Sequence, residues 1–202
     1  ESESRGLGDV YKRQAGNAAK FWLNKGGFKA EVIDTLKVGQ VHFLYKGNPE
    51  LLYAFFKKNK KTLIHVTSEL TQKMELRGGG IVSLDLVSKT TALPNYYQLD
   101  VRFKTADAMG ANFINSCLES LATAFENLAA KEPFFMKKEA SIEILMSILS
   151  NYVPECLVKA SVSCSVDEIE HQEGISGKKF AEKIVQAVAI ASCETFRAVT
   201  HN

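Results

Sequence analysis

No CxxC pair occurs in this sequence, and none of its four cysteines, Cys117, Cys156, Cys164 and Cys193, has a histidine at metal-ligand spacing. That excludes the common zinc and dithiol-redox motifs and reads as reduced, buried thiols in a cytoplasmic protein. No apolar run reaches the roughly 18 residues a membrane helix needs, and the start lacks the charged, apolar and small-residue order of a signal peptide. Nor does one sign of charge dominate. The 25 basic and 23 acidic side chains leave a formal net charge of +2, which gives no overall pull toward nucleic acid or anionic lipid. Neither is expected as a partner, so partners must be read from sites. What is present is a 202-residue chain, 46% hydrophobic, able to bury the core of one large domain or of one domain and part of another.

Residues 1–14 (ESESRGLGDVYKRQ) show no helical or strand periodicity, look foreign beside the rest of the chain, and are expected to be disordered. Residues 15–25 (AGNAAKFWLNK) read as a helix stopped by Gly26-Gly27. A strand, GQVHFLY at 39–45, precedes Asn48-Pro49, a capping residue before a first-turn proline. The helical stretch after Pro49 should break near Thr62 and end at Gly78-Gly79-Gly80. Strands are expected at 81–87 and at 95–103, the second with Tyr97, Leu99, Val101 and Phe103 on one face, and the two should pair through the turn around Leu93-Pro94-Asn95.

From Asp107 the period becomes helical, with Ile114, Leu118, Leu121, Phe125 and Leu128 in one apolar stripe. Residues 141–149 (SIEILMSIL) fit a strand carrying Ile142, Ile144, Met146 and Ile148 on one face. The fold class is therefore α+β. Its order of strand, helix, strand, strand, helix, strand is that of the ferredoxin-like, βαββαβ arrangement. After Asn151 come a further strand, LVKASVSCSV, and a long helix in which Phe180, Ile184, Val188 and Ala191 form an apolar face with no partner in the sequence. The expected organisation is a tail at 1–14, one piece of a large domain at 15–36, a small domain at 37–152 and a second, truncated piece of the large domain at 153–202.

The most informative run is Asp107-Ala108-Met109-Gly110-Ala111-Asn112, where a strand hands over to a helix. Asp107 can cap that helix, while Gly110 and the small Ala108 and Ala111 allow close approach to its first turn. Helix-start amides attract anions, so a pyrophosphate could dock there; a capped helix with small packing residues accounts for the same letters.

DAMGAN after a strand, continued as FINSCLES, resembles the dinucleotide-binding motif of hydroxymethylglutaryl-coenzyme A (HMG-CoA) reductases. RAVTHN at 197–202 is similar to the segment leading to that family's catalytic lysine, and AAKFWLNKGGF near the start and LSN at 149–151 agree in order and spacing. The triple glycine stands where the bacterial, class II enzymes have one. The resemblance runs from about residue 15 to the last residue.

It implies an oxidoreductase that interconverts HMG-CoA with mevalonate and coenzyme A by two hydride transfers from NAD(P)H, in the mevalonate and isoprenoid pathway. A small ferredoxin-like domain would hold the dinucleotide, a larger domain the acyl-coenzyme A, with the active site across a dimer interface. Carried over by position, Asp107, Met109, Gly110, Asn112 and Asn151 would line the cofactor site, and Arg197 and Thr200 would hold the substrate's carboxylate, a task suited to arginine's planar fork. The position that is acidic in an NAD-using relative falls at Thr71, with Lys73 and Arg77 nearby, so NADPH is favoured over NADH. The family's catalytic glutamate, lysine, aspartate and histidine all fall outside the sequence. The chain is thus expected to be an inactive internal fragment, with no catalytic residue of its own, and His201 to be structural. His42 and His65 have no carboxylate or nucleophile placed for a triad, and His171 is uninformative.

One competing function remains. The run Lys57-Lys58-Asn59-Lys60-Lys61 after Tyr53, Phe55 and Phe56 has the basic and aromatic texture of a stand-alone ferredoxin-like module that binds RNA or another anion. A solvated helix end with its aromatics in the core has that texture too.

Overall fold

The computed structural model describes residues 7–135, 140–169 and 174–199. In chain order these form helix α1 (Leu7–Leu23), strands β1 (Lys29–Thr35) and β2 (Lys37–Tyr45), helices α2 (Pro49–Val66) and α3 (Ser68–Glu75), strands β3 (Gly80–Ser88) and β4 (Tyr96–Lys104), helix α4 (Ala111–Ala129), strands β5 (Ile142–Ser150) and β6 (Cys156–Ser161), and helices α5 (Gly177–Cys193) and α6 (Thr195–Ala198). The class is α+β. Two units separate: residues 32–158, and the segments 1–31 with 159–202. The divisions at 31/32 and 158/159 fall within β1, to which periodicity assigns no element, and β6, which pair with each other in a two-stranded sheet.

The 32–158 unit is a four-stranded antiparallel sheet in the order β3-β4-β2-β5. Alternation decides its faces: Val41, Phe43 and Tyr45 of β2 and Tyr97, Leu99, Val101 and Phe103 of β4 all point into the core, in register as Val41 with Leu99 and Phe43 with Tyr97. The α4 stripe meets them through Ile114, Leu118, Leu121 and Phe125, and α2 adds Leu52, Phe55, Phe56 and Leu63. Asn48 caps α2 as expected, its Oδ1 accepting the Glu50 N–H at 2.8 Å, with Pro49 at the first turn.

The face of the sheet opposite α4 carries a polar chain. Glu155 and Asp100 hold Arg102, Asp100 accepts from Gln40 Nε2 at 3.1 Å, and Gln98, Tyr96 and His42 bond one another beyond it.

Several expectations are corrected. Residues 7–14 are helical, not disordered: after Gly8 the segment has no strong breaker, and good helix formers such as Lys12, Arg13 and Gln14 extend α1 toward its start. The long crossover breaks at Thr67 and not Thr62, because the buried Thr67 hydroxyl donates to Ile64 O at 2.7 Å and competes with the helical pattern. On β5 a bulge between the partners of His42 and Phe43 turns Met146 and Ile148 outward, leaving them 54% and 50% exposed, while Ile142 and Ile144 pack against the core. Only Cys117 among the cysteines is buried, and burial raises its pKa to about 11; Cys156 and Cys164 are half-buried, Cys193 is exposed and all four are free.

In the other unit, Ser176 caps α5 by accepting the Lys179 N–H at 3.4 Å. The apolar face of α5 stays uncovered, with Phe180 38%, Ile184 49% and Val188 61% exposed. Among the described residues no helix is long and apolar enough to cross a membrane.

Two outcomes are expected. Phe125 is fully buried, its ring 5.3 Å from Phe43 and 5.5 Å from Phe55, so Phe125→Ala should cost about 3–5 kcal/mol of stability, measured by urea unfolding. Burial lowers the pKa of His42. The folded unit thus favours neutral imidazole, and His42 contributes stability that is present above the ordinary titration range, near pH 6.5, and lost as pH falls below it. An NMR titration midpoint for His42 at or above 6.5 would contradict this, as would an unfolding midpoint in His42→Gln with undiminished dependence on pH below that value.

Candidate functional site

The link from β4 to α4 is built around Thr105. Alternation continues past the end of β4, so the Thr105 side chain points inward and is buried. Its Oγ1 donates to Ala108 O at 2.6 Å, and its carbonyl accepts the Ala108 N–H at 3.0 Å. Those two bonds close a tight loop in which Ala106 takes a positive φ of 49°. Gly110 leaves the loop at φ 79°, where an added Cβ would lie 2.8 Å from Thr105 Cβ. Glycine is therefore required on two counts.

Asp107 does not cap the helix. The N-cap is Gly110, and α4 begins at Ala111 with no side-chain cap and no acidic residue in its first turn. The Thr105–Ala108 turn carries Asp107 outward before the helix starts, so Asp107 is exposed together with Ala108, Met109 and Asn112. The first-turn amides of α4 are left to another partner.

Asn115, one turn into α4, accepts the Leu149 N–H on Oδ1 at 3.0 Å and so joins this helix to the end of β5. Beyond it the chain turns at Asn151, where Ser150 Oγ accepts the Tyr152 N–H and donates to Tyr152 O, both at 3.0 Å. A cavity of about 150 Å³ opens between the two elements, lined by Lys37, Met109, Ala111, Ile114, Ser150 and Asn151, with Leu149 and Val153 completing it. The structure thus brings Met109 and Asn151 together, whereas Asp107, Gly110 and Asn112 are not among the residues that line this cavity.

The remaining expected site residues lie elsewhere. Thr71 is buried on the inner side of α3, its hydroxyl donating to Ser68 O at 3.3 Å. The phase of α3 turns Thr71 and Met74 inward, so its exposed polar surface is made by Glu69, Gln72, Lys73 and Glu75. Arg197 sits on α6, a helix capped by Glu194, whose Oε2 accepts the Arg197 N–H at 2.7 Å. Thr200, His171 and His201 lie outside the described residues. Thr105, Asn115 and Lys37 were not singled out by sequence. Thr105 stood next to the motif, whereas Lys37 had no signal at all.

Residues 14–202 match the family profile described as hydroxymethylglutaryl-coenzyme A reductase. The chain belongs to this family. A 3-hydroxy-3-methylglutaryl-coenzyme A reductase from Archaeoglobus fulgidus is 24% identical over 188 residues, which are 93% of this chain and 39% of that protein. The class II reductase from Streptococcus pneumoniae, solved bound to NADPH in open conformations, is 30% identical with a TM-score of 0.73, over 93% of this chain and 47% of that one. A second structure of the S. pneumoniae reductase matches at 29% identity and the same TM-score. The chain therefore spans less than half the length of these reductases.

Gly110→Ala should destabilise the reductase motif loop by about 1–3 kcal/mol, since it forces a Cβ into the left-handed region against Thr105. Thr105→Val, which keeps the shape and removes the bond to Ala108 O, should cost about 1 kcal/mol. Urea unfolding of both variants checks this, and an unchanged Gly110→Ala midpoint would contradict the geometry described.

Proposed function

We propose that this chain is the nicotinamide-cofactor portion of a class II HMG-CoA reductase, the oxidoreductase that interconverts HMG-CoA with mevalonate and coenzyme A. The observation that carries the reading is the cavity shared by Met109, Ala111 and Asn151. Two sequence-distant pieces matching the family's motif meet there beside a helix start whose amides no side chain caps. The residues fit a dinucleotide: small side chains at 108, 110 and 111 leave the backbone approachable, the first turn carries no acid, and the lining pairs apolar walls with the polar Asn151 and Ser150.

When bound, the dinucleotide supplies the hydride. The chain's own part is to bind and orient. Met109 and Asn151 line the cavity, Asp107, Gly110 and Asn112 beside it would complete the cofactor site, and Asn151 would serve the nicotinamide end. The unit's strand order and antiparallel pairing support a ferredoxin-like, βαββαβ classification in which α2 and α3 together make the first crossover. On this reading residues 15–36 and 153–202 belong to a larger substrate domain, where Arg197 and Thr200 hold the substrate's carboxylate, and the working enzyme is a cytoplasmic homodimer or an assembly of dimers.

NADPH is favoured over NADH. Thr71 faces inward, but Lys73 and Arg77 are exposed on and just after α3 and suit a 2′-phosphate. The reductase from S. pneumoniae is itself described as bound to NADPH.

The RNA-binding alternative loses its footing in the geometry. Of its four lysines, Lys58 pairs with Glu132 at 2.5 Å and Lys60 with Asp85 at 3.0 Å, and Phe55 and Phe56 are buried in the core, which leaves Tyr53 as the one exposed aromatic of the three.

Titration of the purified chain with NADPH should show weak saturable binding, lowered several-fold by Asn112→Ala and by Asp107→Ala. If the chain ignored both nicotinamide dinucleotides and bound an oligonucleotide in a salt-sensitive way, the assignment would fail.

A further inference from the structure

We infer that Lys37 is the cation of this cavity and binds the pyrophosphate of the dinucleotide; the inference rests on the cofactor reading above. Lys37 opens β2, and the register that pairs Val38 with Ser150 sets it opposite Asn151. Odd positions of β2 face the helices, as the burial of Gly39, Val41, Phe43 and Tyr45 shows. The Lys37 side chain therefore leaves the sheet on the side of α4, where it lines the cavity with Ala111 and Ile114.

On the adjacent strand β4, Arg102 and Lys104 each lie within 4.0 Å of a carboxylate. No carboxylate of the described residues comes that close to Lys37. Its Nζ donates instead to Cys156 Sγ at 3.1 Å, a weak acceptor that steers the ammonium without neutralising it. The half-buried ammonium thus shares a cavity with the start of α4, a helix lacking both a side-chain cap and a first-turn acid. Two positive groups facing one space weaken each other until an anion enters, and then both gain. A pyrophosphate supplies the anion common to both nicotinamide dinucleotides.

The test compares the 202-residue chain with Lys37→Met, which keeps the aliphatic stem, and Lys37→Arg, which keeps the charge. Each is titrated with NADH and with NADPH at low and moderate salt, and its thermal midpoint is recorded. The expected result is a loss of about tenfold in affinity for both dinucleotides in Lys37→Met, with a flatter salt dependence and a midpoint equal to or above the parent's. Lys37→Arg should recover most of the affinity. Parental affinity in Lys37→Met would overturn the inference. So would a loss confined to NADPH, which assigns the ammonium to the 2′-phosphate, or a lowered midpoint with unchanged binding, which assigns it to structure. These outcomes leave the cofactor reading standing. A parent chain that binds neither dinucleotide removes both.

Discussion

Helix α4 lies close against the sheet because residue 39 has no side chain. A Cβ at Gly39 would come within 2.7 Å of Leu118 and 2.9 Å of Ile114, the two residues by which α4 seats on β2. Any larger residue would lift the helix start away from the sheet, since a packed core cannot absorb a displacement of that size locally. The consequence reaches the site. Asn115 bonds Leu149 N–H only because the first turns of α4 run alongside β5, and the cavity floor is Ile114 itself. A glycine near the start of an inner strand thus sets the spacing on which the motif loop, the Asn151 turn and Lys37 all depend.

Much of this architecture was legible because core strands and helices repeat at fixed periods. The alternation of Tyr97, Leu99, Val101 and Phe103 gave β4 its inner face, and the Ile114, Leu118, Leu121 and Phe125 stripe gave α4 its own. Asn48-Pro49 and the triple glycine marked helix ends by local chemistry: Gly78 and Gly80 take φ values of 81° and 115°, and a Cβ at Gly79 would meet Lys104 O at 2.5 Å. What stayed hidden depends on partners. The bulge on β5 exists only against β2, so nothing in SIEILMSIL says that its inner face changes phase after Ile144. Thr67 interrupts a helix that Thr62 does not, because only Thr67 is buried with its hydroxyl turned onto the preceding turn.

The site shows the same division. The motif is readable in the sequence, but the residue that builds its turn is not the one whose chemistry suggests a cap. Asp107 has the chemistry of a cap and stands near the start of the helical period, whereas the chain needs three more residues to turn before α4 begins. Thr105 makes that turn from inside the core, and Gly110 completes it. The outcome sharpens the functional reading. A capped α4 would have its amides satisfied within the protein, while the observed start leaves them available at a cavity edge, as anion recognition requires.

The two units differ in what holds them. Every residue of the hydrophobic core cluster belongs to the 32–158 unit, where sheet and helices bury aromatic rings against one another on one side. In the other unit, α5 buries only Gly177, and its stripe of Phe180, Ile184 and Val188 lies open. A helix with so regular an apolar face is patterned to be covered, since layered domains form by burying such faces against another element. The cavity beside α4 belongs wholly to the unit with its own core, while Arg197 belongs to the one whose main helix has most of its apolar surface in water. Substitutions at Gly39, Ile114 or Asn115 therefore act on the packing of the first unit and on this cavity together.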